Sequence, residues 1–276
     1  MSKEIINKVG NLLEAVRNKK PLVHSITNYV TANDCANIIL AMGASPTMAD
    51  YSKEVEGITK IASALVINMG IINDDMVNAM IISGKKANEL NIPVVFDPVG
   101  AGVADYRNET ARRILSEVKV NVIRGNISEV KFVGGLESNT KGVDASESDM
   151  NTGIDDQINI AKKIAEKFNC TVAITGVTDI ISDGKRTAIL NNGTKMLANV
   201  TGTGCMTTSL VGGYCGSGED YFIAAVAGVI SMGIAGEISE EKMGKIGLGS
   251  FRVGIIDAIS NLNSETIERM AKINEA

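Results

Sequence analysis

The sequence predicts an α/β fold: a mostly parallel sheet with helices on both faces and an antiparallel edge. Three observations lead there. Short apolar runs alternate with segments of helical period, which is the mark of βαβ units feeding a parallel sheet buried on both sides. Turn residues Asp183-Gly184 and Asn191-Asn192-Gly193 then separate late apolar runs as hairpins would. The chain has 276 residues, 45% of them hydrophobic, enough for one large core, so a single domain over 1–276 is expected.

The elements follow in order. Ile5, Val9, Leu12, Leu13 and Val16 recur at helical spacing and predict an N-terminal amphipathic helix. Strands are expected at Leu22–Ile26, Ala64–Met69, Val94–Asp97 and Val120–Arg124, with helices at Ala32–Met42, Asp74–Leu90 and Glu109–Val118 between them. A polar stretch, Glu137–Gly153, reads as a surface excursion, and a helix over Asp155–Phe168 follows it. Runs at Thr171–Thr175, Asp179–Ser182, Thr187–Leu190 and Lys195–Val200 form the expected hairpin edge, and everything from Gly202 onward reads as helix. Tyr221–Gly236 is the most apolar run, but it is shorter than the ~20 residues of a bilayer span and is interrupted by Gly228 and Gly233, so a buried helix is expected.

Charge and cysteine usage narrow the partners. Lys+Arg total 27 against 32 Asp+Glu, a formal charge of -5, so no cationic surplus exists to track nucleic acid or an anionic membrane. Cys35, Cys170, Cys205 and Cys215 form no CxxC pair, which fits reduced thiols in a cytoplasm, and the amphipathic start does not read as a secretion signal.

Ligands of open α/β sheets collect beyond the carboxyl ends of the strands, where three motifs fall. Thr201-Gly202-Thr203-Gly204-Cys205 follows an apolar run and opens a helix: glycines admit close backbone approach, and the free N–H groups and dipole of a helix start attract phosphate. Taken alone it reads equally as a glycine-rich turn. Asn126-Ile127-Ser128-Glu129 offers a carboxylate able to hold Mg²⁺ through water, or else a helix cap with Glu129 at the third position. Asp97-Pro98-Val99-Gly100 ends a strand with an acid that either orients metal-bound water or phosphate, or caps a turn. Together the three supply metal, anion hole and positioning, the requirements of phosphoryl transfer. GxxxxGK[ST], HExxH and GxSxG are absent, and His24, the sole histidine, reads as a satisfied structural or pocket-lining residue.

The ordered set Pro21–Asn28, Gly43-Ala44-Ser45-Pro46 with Met48-Ala49, Asp97–Gly100, Ile123–Asn126, Lys141–Asp144, Ile174-Thr175-Gly176 and Thr201–Cys205 resembles hydroxyethylthiazole kinase along nearly the whole chain. The resemblance implies a ribokinase-like three-layer fold. It also implies ATP-dependent phosphorylation of 5-(2-hydroxyethyl)-4-methylthiazole in thiamine salvage, and a homotrimer with pockets between subunits. By the same resemblance Asn28, Met48 and Gly202 border the thiazole, Arg124 and Thr175 contact ATP, and Asp97 and Glu129 surround Mg²⁺ and its waters. Gly202, Thr203, Gly204 and Cys205 make the anion hole. Cys205 stands where related sugar and pyrimidine kinases carry an aspartate base; an ordinary thiol, with a pKa of roughly 8.5, is mostly protonated at neutral pH. Competing readings are a hydroxymethylpyrimidine kinase, an ATP-dependent hydro-lyase, or a binding regulator without catalysis; Cys205, Val23–Asn28, and the retention of Asp97 and Glu129 argue against them.

Overall fold

A computed structural model describes residues 2–136 and 152–276. The motif Lys141–Asp144, and the expected excursion Glu137–Gly153 save its last two residues, lie outside the described residues. The order is α1 (Ser2–Lys19), β1 (Leu22–Ile26), α2 (Ala32–Ala41), β2 (Ser45–Thr47), α3 (Val55–Thr59), β3 (Ala64–Asn68), α4 (Asp74–Glu89), β4 (Val94–Asp97), α5 (Asp105–Glu117), β5 (Val122–Gly125) and α6 (Ile127–Gly134). After the undescribed stretch come α7 (Ile154–Phe168), β6 (Thr171–Ile174), β7 (Asp179–Ser182), β8 (Thr187–Leu190), a 3₁₀ turn (Lys195–Asn199), α8 (Thr203–Cys215), α9 (Tyr221–Met243), α10 (Leu248–Asn261), α11 (Ser264–Met270) and β9 (Ile273–Glu275).

Among the described residues the strands form one nine-stranded sheet in the order β2-β1-β3-β4-β5-β6-β7-β8-β9. β2 through β6 run parallel in that order; β7, β8 and β9 finish the edge antiparallel. Period-two alternation splits each strand's side chains between two cores. Val23, Val66, Val95, Val122 and Ala173 pack under α1, α2, α8, α9 and α10, whereas Ile26, Leu65, Ile67, Phe96 and Ile123 pack under α4, α5, α6 and α7. The result is three layers.

The structure corrects three expectations. Lys195–Val200 is a 3₁₀ turn and not a strand, begun by Thr194, whose side chain accepts from Met196 N. The final third is not wholly helical, because Ile273–Glu275 returns to pair with β8. The apolar run continues to Met243 as a 23-residue helix, long and apolar enough by composition to cross a membrane but 89% buried within the fold in its most apolar window. Its glycines do not interrupt it. A methyl at Gly228 would fall 2.8 Å from Val211 N, so glycine there permits α9 to press against α8.

Candidate active site

Because β1, β3, β4, β5 and β6 are parallel, their carboxyl ends form one rim. Asn28 follows β1, Asn68 ends β3, Asp97 ends β4, Arg124 is the penultimate residue of β5 and Thr175 follows β6. The N-terminus of α8 meets this rim.

Gly202 caps α8 in the left-handed region, with φ +88°. An added Cβ there would stand 2.5 Å from Thr31 Cγ2, so both backbone and space demand glycine. Met206 N donates to Gly202 O at 2.8 Å and opens the helical ladder, which leaves the preceding N–H groups of the first turn facing outward at the positive end of the dipole. Arg124 converges on the same turn: a Cβ at Gly204 would lie 2.7 Å from its Nη1. Its Nη2 donates to Thr175 Oγ1, its Nη1 stands 3.6 Å from Asp97 Oδ2, and its buried Nε has no hydrogen-bond partner. The sequence motifs at 124, 175 and 202–205 thus meet at one point.

Asp97 is fully buried. Its Oδ2 accepts from Asn68 Nδ2 at 2.9 Å and Thr208 Oγ1 at 2.6 Å, whereas its Oδ1 has no partner. Burial raises the Asp97 carboxyl, opposed by Arg124 and the two donors. Cys205 Sγ accepts from Asn68 Nδ2 at 3.3 Å and Asn28 Nδ2 at 3.5 Å. Burial, and then the nearby Asp97, push this thiol up. The structure therefore argues for a protonated Cys205 near neutral pH.

Glu129 forms the capping box as well as standing beside Asp97. Asn126 Oδ1 accepts from Glu129 N, Glu129 Oε2 accepts from Asn126 N, and Oε1 accepts from Gly100 N, each at 2.9 Å. Burial and the charge of Asp97 push its carboxyl up to about 7. The residues fit magnesium in the following sense: Asp97 Oδ1 is an unpartnered buried oxygen, Mg²⁺ needs only one or two carboxylates beside phosphate and water, and each Glu129 oxygen retains a free lone pair. Among the described residues no group of three or more His, Cys, Asp or Glu could hold a metal without such help.

Met48 is not drawn into this cluster. It follows β2 at the outer edge of the sheet, beyond β1, and is half-buried. His24 is buried, with Nε2 donating to Ala49 O at 2.8 Å and Nδ1 3.0 Å from Thr59 Oγ1; it is a satisfied structural residue that braces the Met48 loop.

Sequence reasoning missed four residues. Asn68 and Thr208 hold Asp97. Arg107 donates to the carbonyls of Met69, Gly70 and Val99 and so pins the loops after β3 and β4. Asp179, whose Oδ1 accepts from Gly176 N at 2.9 Å, is pushed up to about 7 by burial against the opposing pull of that bond and of Arg124. Only the position of Asn68 at a strand's carboxyl end was a signal available beforehand.

Comparison with known proteins gives a consistent result. The sequence model of the hydroxyethylthiazole kinase family matches residues 13–265. Hydroxyethylthiazole kinase of Clostridium beijerinckii is 68% identical over 275 residues, covering 100% of both chains, and that of Clostridium botulinum strain Alaska E43 is 63% identical, covering 99% of this chain and 98% of its own. The solved hydroxyethylthiazole kinase of Pyrococcus horikoshii superposes with a TM-score of 0.87 at 36% identity, covering 98% of this chain and 99% of that one. An ADP complex of Bacillus subtilis pyridoxal kinase shares the ribokinase-like fold, with a TM-score of 0.56 at 18% identity over 76% of this chain and 89% of its own. With relatives matched end to end and the expected rim of strand-end residues in place, the chain belongs to the hydroxyethylthiazole kinase family, kinases that phosphorylate a small-molecule alcohol.

Proposed function

We propose that the first turn of α8 and Arg124 hold the phosphates of ATP while Asn28, Met48 and Gly202 seat 5-(2-hydroxyethyl)-4-methylthiazole for attack on the γ-phosphorus. The convergence of the Arg124 guanidinium on Gly204 carries this reading, because it joins a fixed cation to the positive end of a helix. Thr175 orients that guanidinium through its hydroxyl. The alcohol oxygen forms the new bond to phosphorus as the bond to the β,γ-bridging oxygen breaks and ADP departs with that electron pair, and the hydroxyl proton passes to an oxygen of the transferred phosphoryl group and from there to water. Burial and the charge of Asp97 push the Cys205 thiol up and disfavour the thiolate that would serve as a base, so alignment and charge stabilisation carry most of the acceleration.

Mg²⁺ would be held by Asp97 and, through water, by Glu129, and it would neutralise phosphate charge. Asn68 and Thr208 occupy Asp97 Oδ2 and leave Oδ1 for that task. A homotrimer with pockets between subunits belongs to the same proposal. Its support is the edge position of Met48 and the exposed apolar side chains of Tyr29 and Val30 beside Asn28, with Leu40 on α2 and Val253 on α10. A cytoplasmic location fits the free thiols of Cys35, Cys170, Cys205 and Cys215, and small-molecule partners in place of nucleic acid or membrane fit the net charge of -5.

The test is ADP formation by the purified protein with and without the thiazole alcohol, before and after exhaustive chelation. Alcohol-dependent turnover that vanishes on chelation and returns with Mg²⁺ is expected. Full turnover in chelator would remove the metal from Asp97 and Glu129, and an Arg124→Ala variant with unchanged KM for ATP would remove the phosphate site.

A further inference from the structure

Asn68 ends β3 in register with Asp97 of β4 and is 1% exposed. Its carboxamide makes four hydrogen bonds. Nδ2 donates to Asp97 Oδ2 at 2.9 Å and to Cys205 Sγ at 3.3 Å; Oδ1 accepts from Asn28 Nδ2 at 3.0 Å and from Gly70 N at 2.9 Å. A primary amide has two donor hydrogens and two acceptor lone pairs, so this one is saturated. Its orientation is also fixed: a carboxylate on one side needs a donor, and a backbone N–H on the other needs an acceptor.

Each partner belongs to the proposed reaction geometry. Asn28 borders the substrate side, Cys205 opens α8 beside the anion site, and Asp97 presents its free oxygen only because its other oxygen is occupied. Gly70 reinforces the arrangement: a Cβ there would fall 2.7 Å from Asn28 Cγ, so only glycine lets Asn28 lie against this backbone. An isosteric leucine would fill the same volume, but it would leave these buried groups without partners.

We propose that Asn68 is a positioning residue for phosphoryl transfer, whose single amide plane sets the mutual placement of Asn28, Cys205 and Asp97 between the alcohol and the phosphates. The proposal rests on the kinase reading above. It concerns a residue whose side chain acts through the three that face it.

Two variants separate positioning from packing. Asn68→Asp keeps the shape and the oxygen that serves Asn28 and Gly70, and replaces the donor facing Asp97 and Cys205. Asn68→Leu keeps only volume. Saturated turnover, KM for ATP and for the thiazole alcohol, and melting temperature are measured for both, alone and combined with Cys205→Ala. A misplacement of reacting groups by about 1 Å costs on the order of 100-fold, so kcat should fall by about 10- to 100-fold in each variant while both KM values stay within about threefold. In the Cys205→Ala background the drop should shrink, because one of the groups held by Asn68 is gone.

Wild-type kcat in Asn68→Asp, a loss confined to KM, or losses that multiply fully with Cys205→Ala would overturn the proposal. So would melting of both variants below the assay temperature, which would make Asn68 a folding residue. Failure of the parent protein to phosphorylate the thiazole alcohol would instead sink the kinase reading, so the two failures are distinct.

Discussion

In Gly202→Ala the new methyl must be held at φ +88° and 2.5 Å from Thr31 Cγ2. A left-handed backbone costs an L-residue about 1–2 kcal/mol, and overpacking adds about 1–3 kcal/mol. The sum is roughly 2–5 kcal/mol, and at about 2 °C per kcal/mol for a chain of this size the melting temperature should fall by roughly 4–10 °C. Thr31→Ser removes the methyl that would clash and keeps the hydroxyl, to which Cys35 Sγ donates at 3.8 Å. Placed in the Gly202→Ala background it should therefore restore the packing share of the loss and leave the backbone share. Thermal melts of the parent, the two single variants and the double variant form the cycle, and turnover is measured in parallel because movement of Gly202 shifts the N–H groups of the anion site. A Gly202→Ala protein that melts within 1 °C of the parent, on the scale of about 0.5 kcal/mol, would refute the reasoning. Strict additivity of the two changes would refute the clash.

The carboxyl of Glu129, raised to about 7, binds its proton in the folded state at pH values where the unfolded chain has lost it, so its contribution declines as pH rises from about 4.5 towards 7. Glu129→Gln should lower turnover at every pH and melt below the parent at pH 5, with the gap narrowing by pH 8; a pH-independent gap would contradict the shift. Asp179, likewise raised to about 7, predicts that Asp179→Asn, which keeps an acceptor for Gly176 N, melts with the parent at pH 5 and above it at pH 8; melting below the parent at pH 8 would show its charge to be stabilising. Cys205→Ala should retain measurable single-turnover phosphorylation, since a base typically contributes about 10²–10⁴-fold and alignment survives. An unchanged rate and pH profile would reduce Cys205 to packing, and total loss with intact ATP binding would make it essential.

The central strands were legible because a strand buried on both faces reads as an unbroken apolar run, as Ala64–Asn68 and Val94–Asp97 do. The short edge strands were not. β2 holds only Ser45, Pro46 and Thr47, and β9 only Ile273, Asn274 and Glu275, and both exist through pairing with residues remote in sequence. Lys195–Val200 misled for the opposite reason: the turn residues Asn191-Asn192-Gly193 before it announce a hairpin, but Thr194 starts a 3₁₀ turn. At the site, glycines and acids at strand ends announced the Gly202–Cys205 turn, Asp97 and Glu129. Glu129 turned out to satisfy its capping role along with its place beside Asp97, so the two readings of that motif do not exclude each other. Asn68 and Thr208 carry no motif. Their significance comes from the register of β3 on β4 and from the passage of α8 over the strand ends, which are tertiary facts.

Phosphorus NMR of a reaction containing the protein, ATP, Mg²⁺ and equal amounts of 5-(2-hydroxyethyl)-4-methylthiazole, a hydroxymethylpyrimidine and pyridoxal tests the central claim most directly. The account predicts a phosphate monoester of the thiazole alcohol, formed in step with ADP and abolished in Gly202→Val. A monoester of the pyrimidine or pyridoxal in preference to the thiazole, or ADP released with inorganic phosphate and no ester, would contradict it.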